Sequence, residues 1–97
     1  MKKQDKRQPN SDANRRIWEL RREIDQIDQN ILHYLNSRRT ITDKLIAFKK
    51  ESGLPVSDPG REEEMINNLK EVFEGKIDPE LIENIYKLII DDSKKGQ

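Results

Sequence analysis

A chain of 97 residues is one domain's worth, and 19 basic against 19 acidic residues leave no net charge to draw it to nucleic acid or an anionic membrane. With 32% hydrophobic and 39% charged residues it is thin for a monomeric globule and suits long amphipathic helices that share a core with a partner. The lack of cysteine excludes disulfides and thiolate metal sites, and no apolar run approaches the ~20 residues of a membrane span or forms a signal peptide, so the expectation is a cytoplasmic protein with neither nucleic acid nor membrane as partner.

Residues 1–14 are polar and basic, with Lys2, Lys3, Lys6 and Arg7, and read as a disordered tail. A nucleic-acid-binding arm is the functional alternative, which Asp5 and Asp12 weaken. The domain is expected over residues 15–97. From Ser11 or Asp12 to about Glu51 there is neither proline nor glycine, which allows one helix of ~35–40 residues, ~55 Å long. Two seven-residue series run through it: Ile17, Ile24, Ile31, Arg38, Leu45, and Leu20, Ile27, Tyr34, Ile41, Phe48. These are the a and d positions of sustained heptads, the pattern of a helix packed along a seam. Gly53 can supply a left-handed cap and Pro55 cannot continue the helix.

Asp58-Pro59 opens a second helix, with aspartate at the N-cap and proline at the first helical position. Met65, Ile66, Leu69, Val72 and Phe73 give it one apolar face, and Gly75 ends it. Asp78-Pro79 repeats the start for a third helix. Its residues Leu81, Ile82, Ile85, Tyr86, Leu88, Ile89 and Ile90 are apolar over so wide an arc that it is expected to be well buried. No segment alternates with period two, so the fold class is all-α, one very long helix and two shorter ones. A ~55 Å helix cannot fold back on itself, and two short helices cannot cover its whole seam. The simplest source of a second long helix is another copy of the chain.

Arg38 breaks the a series between Ile31 and Leu45. Either it snorkels outward or pairs with a partner's acid, or it faces inward as an anion site, where a carboxylate offers its guanidinium a planar, bidentate partner. Lys49 follows three helical turns later, rotated only ~20°, and two long side chains over a rise of ~16 Å can converge on one small ligand. Arg21 lies ~25 Å before Arg38 along the axis and cannot share such a site within its own chain. In an antiparallel dimer the partner's copy could arrive near Lys49; a flanking charge in an interhelical salt bridge is the plainer reading.

The stretches L20-R-R-E-I-D-Q-I-D28, S37-R-R39, Lys49, G53-L-P-V-S-D-P-G-R-E-E63 and I89-I-D-D-S-K-K-G-Q97, taken in order, resemble the all-helical (AroQ-type) chorismate mutases. The likeness covers about residues 17–97. It implies an intertwined helical homodimer with two sites, and the rearrangement of chorismate to prephenate on the route to phenylalanine and tyrosine, with no cofactor and no metal. It implies that Arg38 and, from the partner chain, Arg21 grip the two carboxylates. Lys49 and Gln97 would serve the ether oxygen, Glu62 would accept the ring hydroxyl helped by the backbone around Asp58, Ser93 would meet a carboxylate, and Arg61 would support the loop.

Each residue has a plainer role in view. Asp58 is an N-cap whatever else it does, Arg61 and Glu62 could be ordinary first-turn charges, and Ser93 could be a solvated residue near a helix end. Gln97 falls three turns beyond Tyr86, on roughly the same face. Gly60 is an oddity in the first turn of a helix. Trp18 and His33 occupy b and c positions, away from the seam, and a lone histidine without cysteine builds no metal site of the usual kind. Two other functions compete: an isochorismate pyruvate lyase, which has the same fold and a similar cationic site, and a non-catalytic helical interaction module.

Overall fold

The structure, a computed structural model, describes residues 11–95, so the expectations for residues 1–10 and for Gln97 lie outside the described residues. Three helices follow in order: α1 (Ser11–Glu51), α2 (Pro59–Val72) and α3 (Pro79–Ser93). No strand occurs among the described residues. The expected fold class is met. Helix α1 runs for 41 residues and starts at Ser11, so residues 11–14, counted in the tail by the sequence reading, belong to its first turn. The chain divides at Arg38/Arg39 into two units.

In the first unit, side chains of α1 pair with neighbours along its own length. Arg22 stacks over the Trp18 ring at 4.9 Å. Arg16 pairs with Glu19 at 3.7 Å, and Gln26 Nε2 donates to Asn30 Oδ1 at 3.2 Å. These are the three- and four-residue spacings at which side chains meet on a helix surface. The seam residues Ile17, Leu20, Ile24, Ile27, Ile31 and Tyr34 stand 40–72% exposed.

The second unit begins with the last turns of α1. Here the half-buried residues are Arg39, Thr42, Ile46 and Lys49, a stripe spaced three and four apart, while the seam residues Ile41, Leu45 and Phe48 stay exposed. The heptad reading did not anticipate this stripe. The helix ends as expected: Gly53 takes φ 71°, Ser52 N donates to Phe48 O at 3.0 Å, and Leu54 N donates to Lys49 O at 2.8 Å.

Both short helices start as their sequences dictate. Asp58 Oδ1 accepts from Arg61 N at 3.1 Å and Asp78 Oδ1 accepts from Glu80 N at 3.1 Å, each just before a proline whose missing N–H costs the first turn nothing. Helix α2 stops at Val72, and the link to α3 bends through Gly75 at φ 78°, where a Cβ would be strained.

Helices α2 and α3 pack on each other around Ile66, Ile82 and Ile90, with Met65, Leu69 and Tyr86 against them. Within one chain Val72 and Phe73 of the apolar face of α2 are exposed, and α3 falls short of the burial expected for it, because Leu81, Ile85 and Leu88 are 41–71% exposed. The reason is geometric: one face of a 14-residue helix cannot cover an apolar arc as wide as that of α3.

Candidate active site

Of the residues expected at the site, Lys49, Asp58, Arg61, Glu62 and Ser93 belong to the second unit. Arg21 and Arg38 belong to the first unit, Arg21 exposed and Arg38 half-buried.

Lys49 is half-buried, and its ammonium donates to the Val56 carbonyl at 3.4 Å. An ammonium carries three donors, so this bond orients the group and leaves capacity for an anion. The loop that supplies Val56 leads directly to Asp58. There the carboxylate caps α2 through Arg61 N, and the Asp58 carbonyl accepts from Glu62 N at 3.1 Å. The cap therefore sets the direction of the first turn, from which Arg61 and Glu62 project one residue apart. Arg61 is exposed, whereas Glu62 is half-buried and takes the Lys94 ammonium on Oε2 at 2.9 Å.

Ser93 is buried at 7% exposure, which corrects the reading of it as a solvated residue. Its hydroxyl donates to the Ile90 carbonyl one turn back, at 2.8 Å. A carboxylate is an acceptor only, so to hold one Ser93 must turn its proton away from Ile90. On one side of Ser93, Asp92 Oδ2 accepts from Arg39 Nη1 at 3.0 Å; Arg39 Nε also donates to Asp43 Oδ1 at 3.2 Å. On the other side, Lys94 holds Glu62. The sequence reading assigned no role to Arg39 or Lys94, the residues that make these two pairs. The only available signals were the Arg38-Arg39 and Lys94-Lys95 pairs beside residues already singled out.

A cleft of about 560 Å³ opens beside this corner, lined among others by Pro59, Glu62, Ile66, Lys70, Glu83 and Ile90. On its wall Glu83 accepts from both Lys70 and Lys87, and the hydrogen bond from Lys70 holds its carboxyl below the ordinary value of 4.5. Among the described residues no group of histidine, aspartate and glutamate is arranged to hold a metal ion, and no helix is long and apolar enough to cross a membrane.

The second unit thus holds a half-buried lysine oriented by the Val56 carbonyl, an aspartate that caps α2, and a half-buried carboxylate held by Lys94. The comparison with known proteins bears on what these groups serve. The family described as chorismate mutase type II matches residues 20–97. The chain belongs to the chorismate mutase type II family. It is 38% identical over 78 residues to a bifunctional chorismate mutase/prephenate dehydratase of Aquifex aeolicus (strain VF5); the match takes in 76% of this chain and spans 22% of the length of that relative. It is 26% identical over 83 residues to a chorismate mutase of Methanocaldococcus jannaschii, covering 84% of each chain. Among solved structures, a chorismate mutase of Thermus thermophilus (Form I) is similar with a TM-score of 0.76 and 36% identity, over 80% of this chain and 98% of that one. Form II of the same enzyme is similar at the same TM-score and identity, over 89% of its chain. As a chorismate mutase, the chain is an isomerase of all-helical type.

Proposed function

We propose that this chain converts chorismate to prephenate, supplying aromatic amino-acid synthesis in the cytoplasm, and does so at a site completed by a second copy of itself. The family match over residues 20–97 carries the reading, because it takes in α2, α3, most of α1 and every proposed site residue at once.

The reaction is intramolecular. One C–O bond, to the ether oxygen, breaks as one C–C bond forms, so no nucleophile, acid or base is required. What a protein can contribute is conformational restraint of the flexible arm and charge where the ether oxygen becomes negative. Arg38 grips one carboxylate and Arg21 of the partner subunit the other. Lys49 places its ammonium at the ether oxygen, and Gln97 is the second donor there. A fixed donor at a developing charge is typically worth on the order of 3–4 kcal/mol. Glu62 accepts the ring hydroxyl beside the Asp58 backbone, Ser93 donates to a carboxylate once released from Ile90, and Arg61 steadies the loop. The preorganised bond from Lys49 to Val56 supports its role, since a donor already oriented needs little reorganisation as charge develops.

The need for a second copy is supported by the seam. Ile17, Ile24, Ile27, Ile31, Ile41 and Phe48 are all more than 40% exposed on one helix, far more aligned apolar surface than a soluble chain leaves bare. A symmetry mate laid antiparallel along α1 would cover it and carry Arg21 toward Lys49.

The test supplies chorismate and isochorismate separately to wild type and Lys49→Ala. Prephenate from chorismate, reduced at least a hundredfold in Lys49→Ala, is expected. Pyruvate from isochorismate with no prephenate would make the chain a lyase. No turnover of either, with unchanged folding, would leave a helical interaction module.

A further inference from the structure

Glu62 presents a carboxylate at the end of a long, flexible side chain, yet one of its oxygens is already engaged. Lys94 Nζ lies 2.9 Å from Oε2, a length typical of a charge-assisted hydrogen bond. The two side chains are 38% and 27% exposed, so the pair is partly shielded from water. Lys94 is itself fixed. It is the C-cap of α3, its backbone N–H donates to Asp91 O at 3.2 Å, and Asp92, two residues before it, is tied to Arg39 of α1. The last turn of α3 is thus fastened to α1 on one side and to the first turn of α2 on the other, with buried Ser93 between the two ties.

From this geometry we propose that Lys94 is a positioning residue of the reaction: it holds Glu62 by Oε2 so that Oε1 is presented to the ring hydroxyl of chorismate. The inference rests on the chorismate reading and deepens it. A carboxylate has acceptor sites on both oxygens, and an ammonium on one leaves the other for a hydroxyl donor. Without the tie, Glu62 would have to be ordered by the substrate itself, which lowers the affinity of that contact. An α2–α3 tie with no part in the reaction would also produce a close ion pair, so the test must separate the two.

The experiment compares wild type, Lys94→Met and Lys94→Arg on chorismate and on the analogue lacking the ring hydroxyl, reading kcat and KM separately and the melting temperature alongside. Lys94→Met is expected to lower kcat/KM for chorismate about tenfold, the loss of one charge-assisted contact, while Lys94→Arg recovers most of it. With the deoxy analogue, wild type and Lys94→Met should be equal within twofold, because the contact that Lys94 prepares no longer exists. An equal penalty on both substrates would overturn the inference and leave the chorismate reading standing. A wild type that forms no prephenate overturns both. Should Lys94→Met not fold, Lys94→Gln is judged by the same comparison.

Discussion

Arg39 Nη1 lies 3.0 Å from Asp92 Oδ2, joining the last turns of α1 to the last turn of α3 one residue before Ser93. Both side chains are about a third or more exposed, so the stability carried by the pair is small. A double-mutant cycle with Arg39→Met and Asp92→Asn, read by urea unfolding, should give a coupling below ~1 kcal/mol. The same variants should lower kcat/KM by more than that stability loss implies, since the tie fixes the backbone that carries Ser93.

The core should respond very differently. Ile82 is 5% exposed between α2 and α3, and Ile82→Ala is expected to cost about 2–4 kcal/mol at fixed protein concentration. A cost under ~1 kcal/mol would mean that the small cluster around Ile66 and Ile90 is not the folding core of this unit.

Gly60 stands in the first turn of α2 with no positive φ, and a Cβ there would meet Asp58 Oδ1 at an ordinary 3.8 Å. Nothing in the local space requires glycine. Gly60→Ala should therefore stabilise the chain by about 0.5–1 kcal/mol, raising the melting temperature by a few degrees. A fall in melting temperature would contradict the packing around the cap.

Glu83 gives a pH signature. Its carboxyl is held below the ordinary value of 4.5, first by the hydrogen bond from Lys70. A depressed folded-state value stabilises above the unfolded-state one, and this contribution disappears as the pH falls from near 4.5 through the lowered value. Wild type should thus lose more stability than Glu83→Gln over that window and match its slope above it, as acid titration of the unfolding midpoint would show.

How much of this was legible in the sequence follows from the range of each signal. The helices were, because Asp58-Pro59, Asp78-Pro79, Gly53 and Gly75 act on their own neighbours through caps, missing donors and positive φ. The apolar series of α1 is visible as a seven-residue period, although on one copy its residues stand exposed. What the period does not carry is the second, weaker stripe of Arg39, Thr42, Ile46 and Lys49, which is mostly polar and so leaves no hydrophobic repeat. Nor does it carry pairings such as Arg39 with Asp92, 53 residues apart, or Lys94 with Glu62, which depend on how the helices meet. Ser93 was singled out by resemblance, but its burial and its bond to Ile90 come only from the packed corner.

The seam makes its own prediction. Ile27 is 56% exposed on a single copy, and a charged residue at so open a position would change stability by under ~0.5 kcal/mol if the chain worked alone. Buried against a second copy, the same charge would be expensive. Ile27→Glu should convert a dimer to monomers in sedimentation velocity and abolish prephenate formation.

The most direct measurement mixes two disabled chains. Arg21→Ala and Lys49→Ala are each expected to be nearly inactive, but a heterodimer of the two contains one site with an intact Lys49 and an intact Arg21 from the opposite chain. After co-refolding in equal amounts, half of the dimers are mixed and each has one good site of two, so about a quarter of wild-type turnover should return. If the mixture is no more active than the two variants alone, although subunit exchange has occurred, Arg21 does not act across the dimer and the proposed site is wrong.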